Sequence, residues 1–226
     1  MIPYNIFKYV YPPRPENALP STLLNTYDNN VYIGSPKLNG DCMLIFTNGI
    51  ETHIRDRHNK PFLKAISPSL LPQLKKLHKE SADDKKNKWM CIVGEYMIKS
   101  KKDGNGKLFN EKFVIFDIIV FDSMQLIGKT FLQRQELLDD LYGCSTEAHP
   151  GCYIDKFLYS TEHKDIYRAR YFTTSFLTLW NELVDIDMYE GWVLKMANSP
   201  LENGLGEKNN TKSQVKFRKP TKNYKH

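Results

Sequence analysis

Glu190-Gly191-Trp192-Val193-Leu194-Lys195 is followed, across a Gly/Asn/Lys-rich loop at 198–212, by Gln214-Val215-Lys216-Phe217-Arg218-Lys219-Pro220. The first run places a carboxylate and a glycine at the mouth of an apolar, strand-like segment. The second is strand-like too, and its Lys216 and Arg218, two residues apart, project from one face. Upstream, Ser35-Pro36-Lys37-Leu38-Asn39-Gly40 offers a lysine at the end of a short segment, with the apolar run Met43-Leu44-Ile45-Phe46 just after it.

Further strands and helices surround these segments. Residues 41–57 read as two strands turned by Asn48-Gly49, a hairpin signal. Leu70, Leu71, Leu74 and Leu77 recur at helical spacing behind a proline and predict an amphipathic helix over 68–80. Residues 89–98 and 112–122 are β-rich runs around an exposed loop at 99–107. Helices are expected over 131–142, ended by Gly143, and over 174–184, capped by Thr173 or Thr174. The prolines of residues 11–20 exclude helix and predict an extended lead-in. The whole is an α+β chain with mostly antiparallel strands, read as a single domain over 1–226 in which 1–30 form the lead-in.

The chain has 226 residues, 41% of them hydrophobic and 12% aromatic, which suits a globular protein with a sizeable core. The formal net charge of +6, carried mostly by lysine, suits a polyanionic partner such as nucleic acid or a nucleotide, or simply a solvated surface. Cys42, Cys91, Cys144 and Cys152 show no CxxC pair and no zinc spacing; Cys42 and Cys91 read as buried free thiols, which fits a reducing compartment. The N-terminus has no signal-peptide pattern, and no stretch is apolar for long enough to span a membrane, so a cytoplasmic location is expected.

Lysine, glutamate and a cationic strand, in that order, supply what lysine-linked nucleotidyl transfer needs. A lysine attacks phosphorus only as the free amine, and nearby cations, a metal ion and partial burial each lower its pKa. Lys216 and Arg218 are such cations, and Glu190 is a candidate metal ligand. The Lys-x-x-Gly spacing recurs at Lys101-Lys102-Asp103-Gly104, but that copy lies in a charged loop without the rigid mount a nucleophile requires. Arg55 and Arg57 close the hairpin and are candidates to clamp a 5′-phosphate, or are surface charge. Glu95, an acid in an apolar strand, is read as a ribose-hydroxyl acceptor or a structural ion-pair partner. Phe116 stacks on a purine or belongs to the core. Asp117 and Asp122 either assist a metal or cap turns.

Lys37-x-x-Gly40, Glu95, Phe116-Asp117, Glu190-Gly-x-Val-x-Lys195 and Lys216-x-Arg218 resemble the ordered motifs of the covalent nucleotidyltransferases. That superfamily contains ATP-dependent DNA ligases, RNA ligases and mRNA-capping guanylyltransferases. The match spans residues 32–220, and the lead-in with Pro36-Lys37-Leu38-Asn39-Gly40 is similar to compact ligases of phage type. The resemblance implies a nucleotidyltransferase (ATP-grasp-like) fold of antiparallel sheets flanked by helices; the C-terminal OB-fold found in capping enzymes and most DNA ligases is, as a departure from that family, not expected here. It implies that Lys37 carries the adenylate within a nucleotide site of Pro36, Leu38, Gly40, Arg55, Glu95, Phe116, Glu190, Lys216 and Arg218. Glu190 and Glu95 would serve Mg2+ or Mn2+, and Arg57, Lys195 and Lys219 the nucleic acid. Three positions depart from the usual pattern: Asn39 replaces an aspartate, Cys42 an arginine, and Arg218 a lysine.

The expectation is therefore a monomeric, ATP-dependent polynucleotide ligase that seals breaks in duplex nucleic acid, with nicked DNA favoured over nicked RNA. It would work in the cytoplasm, or in that of the host for a viral protein, in DNA repair or replication. The alternatives are a nick-sealing RNA ligase, a capping guanylyltransferase, which the absent OB-fold disfavours, and a non-catalytic nucleic-acid-binding domain. Binding to a polyanion through a basic face is expected to weaken with salt.

Overall fold

The computed structural model describes residues 19–79, 87–143, 154–202 and 213–220. Residues 11–18 of the proline-rich stretch, Cys144, Cys152 and most of the 198–212 loop lie outside them. Among the described residues, β1 (Tyr32–Leu38), β9 (Tyr189–Met196) and β10 (Gln214–Arg218) form a small antiparallel sheet in the order β1-β9-β10. A larger sheet runs β3-β2-β4-β5-β8-β7, from β2 (Asp41–Thr47), β3 (Thr52–Asp56), β4 (Met90–Met97), β5 (Lys112–Phe121), β7 (Leu158–Ser160) and β8 (Ile166–Ala169). A two-residue β6 (Met124–Gln125) pairs with β5, and β5 with β8 is a parallel pair in an otherwise antiparallel sheet. The α+β reading holds.

Asn39 and Gly40 carry the chain from the small sheet into the large one. A Cβ on Gly40 would lie 2.4 Å from the Tyr96 carbonyl oxygen, so only glycine lets β1 turn into β2 this close to β4. Two cores result. Leu44, Phe46, Ile92 and Ile118 of the large sheet pack with Leu70, Leu74, Leu77 and Leu138, all fully buried. Leu38, Trp192, Leu194 and Phe217 of the small sheet meet Met97 and Val114 of the large one, together with Phe176, Trp180 and Leu183. Phe116 packs against both.

The helix expected over 68–80 is shorter, α2 (Leu71–Lys75). Pro72 lacks the N–H and fits only a first turn, so a helix cannot begin at 68. Leu70, Leu74 and Leu77 form the buried stripe, whereas Leu71 is exposed. Burying three leucines is worth on the order of 5–9 kcal/mol, which outweighs the poor intrinsic stability of one uncapped turn. α3 (Phe131–Tyr142) has a capping box of Thr130 and Gln133 and ends at Gly143, whose backbone is extended. α4 (Phe176–Leu183) begins not at Thr173 or Thr174 but at Ser175, held left-handed at φ 64° with no side-chain cap. The Ser175 amide donates instead to Asp28 Oδ2 at 2.7 Å, a tertiary partner that local sequence does not reveal.

Within the lead-in expected over 1–30, the described residues 19–30 pack onto the small sheet. A short 3-10 turn (Ser21–Leu23) and α1 (Leu24–Tyr27) lie over the small sheet, with Leu24 fully buried, a bridge from Leu19 to Phe217, and Tyr27 edge-on to Phe217 at 5.6 Å. The 99–107 loop is likewise tied down: Asp103 Oδ1 accepts from the Asn105 and Lys107 amides, and the Met188 amide donates to the Lys102 carbonyl.

Gly191 lies at φ 149°, and a Cβ there would sit 2.1 Å from the Phe217 carbonyl oxygen. Gly191→Ala is expected to cost at least about 2 kcal/mol through backbone strain and loss of the β9–β10 register, read as a lower urea midpoint. An unchanged midpoint would mean that the small sheet yields there without penalty.

Candidate active site

The functional side chains are aimed by irregularities in the strands. Lys37 pairs with Gly191, but Leu38 pairs with Tyr189, so Glu190 is an extra, bulged residue of β9. Gly94 pairs with Ile115 and Val93 with Asp117, so Phe116 is the extra residue of β5. Bulges release a residue from the ladder and re-aim its side chain. Arg218 also pairs with Gly191, which puts Lys37, Gly191 and Arg218 in one row across the small sheet, with Ser35, Val193 and Lys216 in the next row of that face. The glycine leaves space between the two cations of its row.

Into that row projects Glu190. Its Oε2 accepts a direct hydrogen bond from Lys37 Nζ and lies 3.4 Å from an Arg218 terminal nitrogen. Lys37 Nζ also donates to the Leu38 carbonyl at 3.4 Å. Lys37, Glu190, Lys216 and Arg218 line a cleft of about 770 Å3 together with Pro36, Leu38, Gly40, Glu95 and Phe116. The Gly40 amide donates to Glu95 Oε1 at 3.1 Å. Crowding by protein atoms pushes the Glu95 carboxyl up to about 7, opposed by Lys37 and the Gly40 hydrogen bond and reinforced by Glu190. Cys42 lines the cleft too and is half-buried rather than buried; desolvation holds its thiol well above the usual range, so it is an inert wall.

Several expected residues lie elsewhere. Arg55 does not line the cleft: it donates to the Asn59 carbonyl at 3.0 Å, whereas Arg57 does line it, because β3 ends at Asp56 and the chain turns between the two arginines. Lys219 faces away from Arg218, with its ammonium on the Ile186 carbonyl at 2.6 Å. Lys195 lines the cleft but is only 6% exposed, and its Nζ is 3.3 Å from Asp117 Oδ2. Burial lowers its pKa, Asp117 opposes that and Arg134 adds to it. Lys101 is bound to Asp187 at 2.9 Å and does not line the cleft.

Asp117 is fully buried and held by Arg134 of α3 through bonds of 2.8 and 3.1 Å. Next to it on the same helix, Gln135 donates to the Phe116 carbonyl at 3.1 Å. α3 thus grips the β5 bulge from behind and fixes Phe116 at the cleft wall. Arg134 and Gln135 escaped the sequence reading; the one signal was a charged and a polar residue side by side on a helix following an apolar strand. Asp122 has φ 52°, sits in the β5–β6 turn and pairs with Lys88 at 3.3 Å, a structural role.

Among the described residues no group of three or more His, Cys, Asp or Glu side chains converges to hold a metal. A hard divalent cation bound beside a nucleotide uses one or two carboxylates plus phosphate oxygens, and Glu190 with Glu95 fits that donor set.

No protein-family model matches the chain, and no curated protein matches it. Solved structures do. The fold is that of the nucleotidyltransferase domain of ATP-dependent DNA ligases. The ligase domain of M. tuberculosis LigD matches 95% of this chain with a TM-score of 0.54 and 14% identity. The mycobacterial DNA ligase D complexed with ATP gives a TM-score of 0.53 at 15% identity over 95% of the chain. The ATP-dependent DNA ligase of bacteriophage T7, complexed with ATP, gives 0.53 at 15% identity over 96% of this chain and 69% of its own. This chain spans about 60% of the length of the two mycobacterial structures. Among the described residues, no helix is long and apolar enough to cross a membrane.

Because Glu95 holds its proton more tightly folded than unfolded, the unfolded chain loses that proton first as pH rises from about 4.5 to about 7. Folding stability from this group is therefore greatest at the acidic end of that window and falls toward neutrality. Glu95→Gln should flatten the decline, measured as urea stability at pH 5 and pH 7.5; a wild-type-like decline in the variant would place the titration elsewhere.

Proposed function

We propose that this protein is an ATP-dependent polynucleotide ligase that seals breaks in duplex nucleic acid, with DNA the favoured substrate, through an AMP adduct on Lys37. The single observation that carries the reading is the Lys37–Gly191–Arg218 row with Glu190 bulged into it: a nucleophile, a proton acceptor and a phosphate-binding cation on one rigid face. The ATP complexes and DNA ligase activity named for the structural neighbours support it.

Lys37 must shed a proton before it attacks, and Glu190 Oε2 is the acceptor already in contact. The amine attacks the α-phosphorus of ATP, a P–N bond forms, the bond to the bridging oxygen breaks and pyrophosphate leaves. Arg218 and Lys216 neutralise the α-phosphate oxygens as charge builds there. Phe116, clamped by Gln135, stacks on the base, and Glu95 accepts from the ribose hydroxyls. An oxygen of the 5′-phosphate at the break then attacks the same phosphorus, freeing Lys37 and leaving AMP on the strand end. Finally the 3′-hydroxyl attacks the 5′-phosphorus, the phosphodiester forms and AMP departs. A divalent cation held by Glu190 and Glu95 would offset phosphate charge in the cleft.

Nicked DNA duplex incubated with protein, ATP and magnesium should yield joined strand, with nicked RNA duplex joined less well. Glu190→Gln should cut joining by about 100-fold or more while the fold is retained, since an amide neither accepts the Lys37 proton nor holds the cation. Joining by Glu190→Gln at the wild-type rate would remove Glu190 from the chemistry. Failure to join either duplex would sink the ligase reading.

A further inference from the structure

The loop between β3 and α2 has features that nucleotidyl transfer leaves unused. Leu63 stands at the mouth of the cleft with 93% of its surface exposed. Single exposed leucines are ordinary; what sets this one apart is its mount. Asp56 Oδ1 accepts from the His58 and Lys60 amides at 2.8 and 3.0 Å, and the Asp56 amide donates back to the Lys60 carbonyl at 2.8 Å. The Phe62 amide donates to the Ile54 carbonyl at 3.1 Å, and its ring packs edge-on to Tyr96. Beyond the tip, Lys64 is ion-paired with Asp41, and the Ser67 amide donates to the Tyr96 hydroxyl at 3.0 Å. Both neighbours of Leu63 are thus anchored to the large sheet, and a rigid frame holds an apolar tip out in water.

Its surroundings have a charge. Arg57, Lys60 and Lys64 line the same cleft as Lys216 and Arg218, with Asp41 and Asp56 beside them. Cations around an apolar tip suit a partner whose outside is phosphate and whose inside is flat and apolar, which is a nucleic-acid duplex.

We propose that this loop reads the strand break: Leu63 wedges against the base pair that ends at the break in a DNA duplex, while Arg57 and Lys60 hold phosphates beside it. The proposal deepens the ligase reading and rests on it. Phosphate contacts carry no information about where a strand is interrupted. A wedge does, because stacking at a break is held by only one continuous strand and opens there at least cost. The tip lines the cleft that holds Lys37, so a break engaged by Leu63 is delivered to the nucleophile's cleft.

The test uses the full chain with two duplexes of equal length, one nicked with a 5′-phosphate and one intact, both carrying 2-aminopurine at the position that abuts the nick. At saturating protein, its fluorescence should rise on the nicked duplex and stay flat on the intact one. Leu63→Ala should lose most of the rise and reduce the preference for nicked over intact duplex by about tenfold, the worth of one buried leucine. Leu63→Met, of similar size, should retain both. An equal rise and equal preference in Leu63→Ala, or no rise with wild-type protein at saturation, would overturn the wedge. Failure of the ligase reading is separately visible: fluorescence would rise on the nick but no AMP would appear on the protein.

Discussion

The contact between Lys37 and Glu190 depends on one backbone constraint, the bulge at Glu190-Gly191 in the central strand of the small sheet. Without the extra residue, Glu190 would pair in the ladder across from β1 and its carboxylate would lie in register rather than over the lysine. Without the glycine, β10 could not approach, and Arg218 would lose its place in the row. The small sheet therefore frames the Lys37–Glu190–Arg218 cluster, and Glu95 and Phe116 of the large sheet and the Asp56–Lys64 loop line the same cleft.

The buried ion cluster behind that wall serves position more than stability. Asp117, Arg134 and Lys195 are 0%, 5% and 6% exposed. Removing such charges from water offsets much of their attraction, so an apolar trio of equal volume would be about as stable. What an apolar trio would not do is define one orientation. The two bonds from Arg134 fix Asp117, Gln135 fixes the neighbouring Phe116 carbonyl, and the Lys195 ammonium is held within 4.6 Å of the Phe131 ring centroid. Breaking one partner would leave the others buried and uncompensated, which makes this cluster sensitive to single substitutions.

Much of this was legible in the sequence because strand period and local chemistry coincide. Lys216 and Arg218 share a face by their spacing alone, and of Lys37 and Lys101 only Lys37 has a strand to hold it. Arg55 and Arg57 show where period fails: the strand ends between them, and only the second reaches the cleft. Lys219 fails for the opposite reason, since one residue past Arg218 it faces the other side. The bulges that aim Glu190 and Phe116, the α3 clamp and the Asp28 cap on Ser175 are tertiary facts. Each joins positions far apart in the chain, and no window of local sequence contains both halves.

Lysine chemistry is the central claim, and peptide mapping tests it most directly. After incubation with ATP and magnesium, without nucleic acid, tryptic peptides analysed by mass should show one AMP group, on Lys37. Lys37→Ala should carry none, while Lys101→Ala labels like the wild type. AMP found on Lys101, or label that persists in Lys37→Ala, would contradict the account.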